Sequence, residues 1–109
     1  LNNNHPNGEI FINKKPLEIN GFVMDIISNS IKGMVNSLKT DEDVEKITLE
    51  IKGIENSELY NADIDLKIND NNLDINKFTC GIIKESVFAM ISTLKVDEEI
   101  NEIKIDVEV

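Results

Sequence analysis

Four stretches of the chain alternate apolar and polar residues with a period of two, and two longer stretches carry apolar residues at helical spacing. The alternating stretches are Glu9-Ile10-Phe11-Ile12, Lys46-Ile47-Thr48-Leu49-Glu50-Ile51, Asp63-Ile64-Asp65-Leu66-Lys67-Ile68 and Glu102-Ile103-Lys104-Ile105-Asp106-Val107. A period of two puts successive side chains on opposite faces, so each stretch predicts a strand with one buried face. Val23, Ile27, Ile31, Met34 and Leu38, and later Ile83, Val87, Met90 and Leu94, predict two helices that each turn one side to a core. The first is expected over residues 21–39. Asn20 and Asn76 stand where a carboxamide caps a helix, and Ile19 and Ile75 are placed to pack on Met24 and Cys80 in the first turns. Lys39 and Lys95 are expected in the last turns, where a cation complements the exposed carbonyls.

The pattern is written twice. Shifted by 56 residues, residues 12–51 align with 68–107 without a gap, and fifteen of forty positions are identical, among them Asn13/Asn69, Asn20/Asn76, Phe22/Phe78, Ile26/Ile82 and Met34/Met90. This reads as an internal duplication within a single domain over residues 8–109, with repeat 1 at about 9–52 and repeat 2 at about 63–109. Residues 1–7 are polar and read as a flexible tail, and Lys52 to Tyr60 reads as a loop between the repeats.

Turn-rich quartets, Asn13 to Pro16 and Asn69 to Asn72, follow the first strand of each repeat, and Leu17-Glu18-Ile19 and Leu73-Asp74-Ile75 are placed to make short return strands. The order strand, helix, strand, taken twice, predicts an α+β fold: the ferredoxin-like βαββαβ sandwich, with two helices on one face of an antiparallel sheet. If the return strands join the sheet, the units become ββαβ.

Composition narrows the function classes. The 109 residues are 40% apolar, enough to bury a core, and their basic residues are 11 lysines against 21 acids, a net charge of −10. With no arginine fork and this charge, nucleic acid and anionic membranes are not expected as partners. The outward strand positions Glu9, Phe11, Thr48, Glu50, Asp63, Asp65, Lys67, Lys104, Asp106 and Glu108 make an acidic, wet face, where an RNA-binding sheet would show stacking aromatics and basic residues and only Phe11 remotely fits. No apolar run approaches the roughly 18 residues of a spanning helix, and residues 1–7 lack the basic and apolar regions of a signal peptide. The single cysteine, Cys80, precludes an intrachain disulfide and suits a cytoplasmic location.

Chemistry-bearing patterns are sparse. The one histidine, His5, lies in the tail beside Pro6, Cys80 replaces Met24 at a packing position, and no phosphate loop or dinucleotide fingerprint occurs. No enzyme activity and no cofactor are therefore expected. Hard cations take oxygen ligands, and Asp41-Glu42-Asp43 and Asp97-Glu98-Glu99 offer them twice, which makes these six residues the candidate metal ligands. The run from Asp70 to Asn76 mimics half an EF-hand loop, yet Ile75 stands where glycine is needed and Gly81 where a bidentate glutamate belongs.

Two differences between the repeats mark candidate partner positions: Phe88 against Lys32 on a helix, and Phe11 against Lys67 on an outer strand face. Ser30, Gly33 and Ser37, matched by Ser86, Ala89 and Thr93, form a stripe of small residues along which two helices could touch or a dimer could form. The function expected is a small acidic noncatalytic interaction or regulatory module that displays its acidic sheet face to a basic protein partner or a soluble ligand, or pairs with a second copy in a homodimer. The alternative is a divalent-cation-binding protein using the acidic loops.

Overall fold

A computed structural model of the chain describes residues 8–38 and 43–109. The elements, in order, are β1 (Gly8–Ile12), β2 (Lys15–Pro16), α1 (Gly21–Asn36), β3 (Lys46–Lys52), β4 (Asp63–Ile68), β5 (Asn71–Asn72), α2 (Lys77–Ser92) and β6 (Glu102–Glu108). Gly21 to Lys77 and Lys46 to Glu102 are both steps of 56 residues, so the helices and the long strands keep the offset seen in the sequence. The expected tail, residues 1–7, lies outside the described residues.

Local chemistry explains the hairpins. Asn13 and Lys14 have φ of 50° and 70°, and Asn69 and Asp70 have φ of 50° and 68°. Two consecutive left-handed residues make the tight turn that matches strand twist, and asparagine tolerates that region better than most side chains. Each quartet expected as a turn is thus a two-residue turn followed by a two-residue strand. Pro16 is accommodated because β2 lies at the sheet edge. The return strands therefore come two residues earlier than expected. Leu17 and Leu73 add one more ladder bond each, from their N–H groups to Ile10 O (2.8 Å) and Leu66 O (2.9 Å), and the chain then leaves for the helix.

Both helices start where expected. Asn20 Oδ1 accepts from the Val23 N–H at 2.9 Å, and Asn76 Oδ1 from the Thr79 N–H at 2.8 Å. Ile19 and Ile75 pack half-buried against the core, and the Cys80 thiol points at the Ile75 carbonyl, 3.7 Å away. The helices end sooner than expected, at Asn36 and Ser92, with no basic residue in either last turn. The Ser37 and Thr93 hydroxyls bond back to Gly33 O and Met90 O, competing with further helix. Lys95 lies beyond its helix, and Lys39 is outside the described residues.

The molecule is an α+β protein, two helices on a six-stranded, open, antiparallel sheet of order β2-β1-β6-β3-β4-β5. This corrects the expected ferredoxin-like arrangement, which centres the first strand of each unit. Here the last strands, β3 and β6, are the central pair. The reason lies in the hairpins: β2 and β5 occupy the outer edges of β1 and β4, leaving each first strand one free edge. β3 and β6 alternate cleanly over seven residues and bury Ile47, Leu49 and Ile51, and Ile103, Ile105 and Val107. Those residues join Met24, Ile27, Ile31 and Val35 of α1 and Ile83, Val87 and Ile91 of α2 in one core.

The segment between β3 and β4 is more than a surface loop. Ile54, Leu59 and Ala62 are buried in the same core, while Glu55 and Glu58 bracket a turn with Asn56 and Ser57 in the left-handed region. The Asn101 carboxamide donates to Ile54 O at 2.8 Å, and the Ile54 N–H donates to Asn101 O at 3.0 Å. Fully buried Ser28 has no hydrogen-bond partner for its hydroxyl among the described residues, whereas its counterpart Lys84 reaches the Ala62 carbonyl at 2.8 Å. No helix among the described residues is long and apolar enough to cross a membrane.

Candidate functional site

The outer sheet face carries charges of both signs. Glu50 and Lys104, Lys52 and Glu102, and Lys52 and Asp63 stand opposite one another across neighbouring strands, while Glu9 faces Asp106 and Glu50 faces Asp65, so pairing offsets only part of its acidity. Phe11, one of the two candidate partner residues, is half-buried in this face, and the Lys104 ammonium lies 5.9 Å from its ring centre. That contact is a cation–π arrangement that also covers part of the ring.

The acidic loops are structural neighbours of the hairpin turns. Glu98 pairs with Lys15 at 3.3 Å, Glu99 Oε2 accepts from the Asn101 carboxamide at 2.9 Å, and Asp97 is exposed. The Asp43 carbonyl accepts from the Asn69 carboxamide at 2.7 Å, while Asp41 and Glu42 lie outside the described residues. Among the described residues no three His, Cys, Asp or Glu side chains are grouped to hold a metal ion. Asp70, which opens the EF-hand-like run, sits in the hairpin turn and pairs with Lys46 at 3.3 Å. That hydrogen bond, with the charges of Asp70, Asp106 and Glu108, raises the Lys46 ammonium above the usual lysine value. His5 lies outside the described residues, and Cys80 is half-buried at a helix start.

The helical layer carries the feature that sets this surface apart. Phe22 and Ile26 are 74% and 47% exposed, and Phe78 and Ile82 are 77% and 49% exposed. Each pair is spaced by four residues, so the ring and the branched side chain stand side by side on one helix face. Phe22 is about 200° round the helix from Met24, which is almost fully buried, so the pair points away from the core. Val23, Met34 and Leu38 on one side and Met90 and Leu94 on the other are half-buried along the same layer.

The two helices do not close over this layer. The first turns of α1 (Val23, Ile26, Ile27) face the end of α2 (Ala89, Met90) and the residues just past it (Thr93, Leu94) across an apolar groove of about 400 Å³. Small side chains at Ala89 and Thr93 hold the groove open. A Cβ added at Gly33, the 56-residue counterpart of Ala89, would meet nothing within 4 Å. Phe88, the second candidate partner residue, is half-buried against the core and stands outside this groove.

Sequence reasoning passed over Phe22, Ile26, Phe78 and Ile82. The signal was present: both pairs are identical between the halves and lie off the buried arc, at positions where a helix of this length needs no apolar residue. No family model, curated protein or solved structure matches the chain.

Proposed function

We propose that the protein is a small noncatalytic association module whose working surface is the outer side of its helical layer. The observation that carries this reading is the repeated exposed pair, Phe22 with Ile26 and Phe78 with Ile82. Four large apolar side chains on one face cost solubility, and neighbouring exposed apolar residues of this kind mark interaction sites rather than ordinary surface. The reading treats the 56-residue offset as an internal duplication that has kept the same exposed pair in both copies. The unpaired Cys80 thiol supports a reducing, cytoplasmic setting.

Side-chain footprinting by photogenerated carbenes tests it. Phe22, Ile26, Phe78 and Ile82 should label strongly in dilute purified protein and become protected in concentrated lysate, with Phe11 unchanged. Equal labelling of the four residues in both conditions would remove the association reading.

A further inference from the structure

We infer that the partner of the helical layer is a second copy of this chain, and that two protomers pair helix layer to helix layer about a two-fold axis. This inference rests on the association reading above and specifies its partner.

Charge selects the face. The whole chain carries −10, so two copies repel, and the repulsion is strongest where acids are densest. Helices α1 and α2 hold Lys32, Lys77 and Lys84 against Asp25 and Glu85, a net charge of +1. The remaining −11 lies on the strands, loops and ends. Two copies that meet through their helical layers bring together a nearly neutral apolar face and keep both acidic sheets about two layers apart. Among the described residues the opposite face of the molecule is the charged side of the sheet, which does not offer that arrangement.

Symmetry and size agree with this partner. β3 runs antiparallel to β6, so α1 and α2, which lead into them, run in opposite senses and place Phe22 and Phe78 at opposite ends of the layer. An isologous interface needs a surface that complements itself after rotation. This layer supplies both parts, rings that project and a groove lined by Ile27, Ala89 and Thr93 that receives. The molecule is a slab of 38 × 34 × 19 Å, and its broad helical side has room for the ~800 Å² per partner of a standard interface.

Sedimentation equilibrium on the purified full chain decides the matter. A monomer–dimer equilibrium is expected, with a dissociation constant of ~1–100 µM as suits an interface at the low end of the standard size. The dimer should tighten at least about threefold between ~50 and ~500 mM salt, because screening removes the repulsion between the acidic bodies. Phe22→Ser with Phe78→Ser should weaken it about thirtyfold or more, and Phe11→Ser should change it less than about twofold. Wild-type protein that stays monomeric at ~500 µM overturns the inference without recourse to any variant. So does a dimer broken by Phe11→Ser and indifferent to the Phe22/Phe78 pair. A purified monomer whose helical layer is nevertheless protected in lysate sinks the second copy and leaves the association reading standing. A monomer without that protection sinks both.

Discussion

Asn13 and Asn69 each hold the other half of the molecule. The Asn13 carboxamide oxygen accepts from the N–H groups of Asn101 (2.8 Å) and Glu102 (3.0 Å), and its nitrogen donates to Glu99 O at 2.7 Å. Asn69 repeats this, accepting from Glu45 (2.9 Å) and Lys46 (3.0 Å) and donating to Asp43 O at 2.7 Å. Both residues also use their backbone N–H, Asn13 to Glu102 O and Asn69 to Lys46 O, each at 2.9 Å. The two hairpin turns thereby fix the starts of the central strands, which explains why asparagine stands at both positions: it combines a left-handed φ with three side-chain bonds.

Two substitutions at Asn69 separate these roles. Asn69→Gly keeps the turn conformation and removes three exposed or half-exposed hydrogen bonds, so denaturant unfolding should show a loss of about 1–3 kcal/mol. Asn69→Ala adds the strain of a left-handed alanine, a further ~1 kcal/mol. An alanine variant as stable as the glycine variant would contradict the turn geometry.

Gly8 tests the end of β1. Its φ is 156°, and a Cβ there would drive into the Asp106 carbonyl on β6. Gly8→Ala should destabilise the protein by about 1–3 kcal/mol and speed amide exchange along the β1–β6 ladder before other strands respond.

Ile54 tests whether the segment after β3 belongs to the core. It is fully buried although it lies outside any strand. Ile54→Ala should cost about 2–4 kcal/mol in thermal or chemical unfolding, the range for a core cavity. A loss below about 0.5 kcal/mol, usual for surface loops, would refute that placement.

The Lys46–Asp70 pair predicts an alkaline signature. Asp70, first by its hydrogen bond and then by its charge, raises the folded-state Lys46 above its ordinary value of 10.5. The folded protein therefore holds this proton more tightly than the unfolded chain. The resulting stability is fully present below the ordinary lysine value and is lost as the pH rises through the raised one. Melting temperatures of wild type and Asp70→Asn should differ slightly at pH ~8 and converge as the pH rises through the raised Lys46 value. A gap that widens with alkalinity would give the shift the opposite sign.

Much of the fold was legible because short-range rules decide it. Alternation located β1, β3, β4 and β6 and assigned their buried faces, and Asn20 and Asn76 marked the helix starts. Strand order was not legible. The same strand-helix-strand units satisfy either order, and the choice turns on the two-residue strands β2 and β5, too short to leave a periodic signal. Ile54 and Leu59 were hidden for a related reason, being single apolar residues without a period. The candidate surface failed differently: Phe22 and Ile26 lie off the buried arc, but a single exposed apolar residue is ordinary surface, and only the structure shows four of them together on one layer. Phe88 stood out as a difference between halves, whereas the exposed pairs are what the halves share.

The central claim is that the protein meets a second copy of itself through the outer side of α1 and α2. The most direct measurement is the relaxation that a soluble paramagnetic agent induces at the Ile26 and Ile82 methyls, compared with Ile64 and the Phe11 ring, as protein concentration rises. The relaxation at Ile26 and Ile82 should fall as the layer is covered, while that at Phe11 stays constant. Unchanged relaxation at the two isoleucines, or a fall confined to Phe11, would contradict the account.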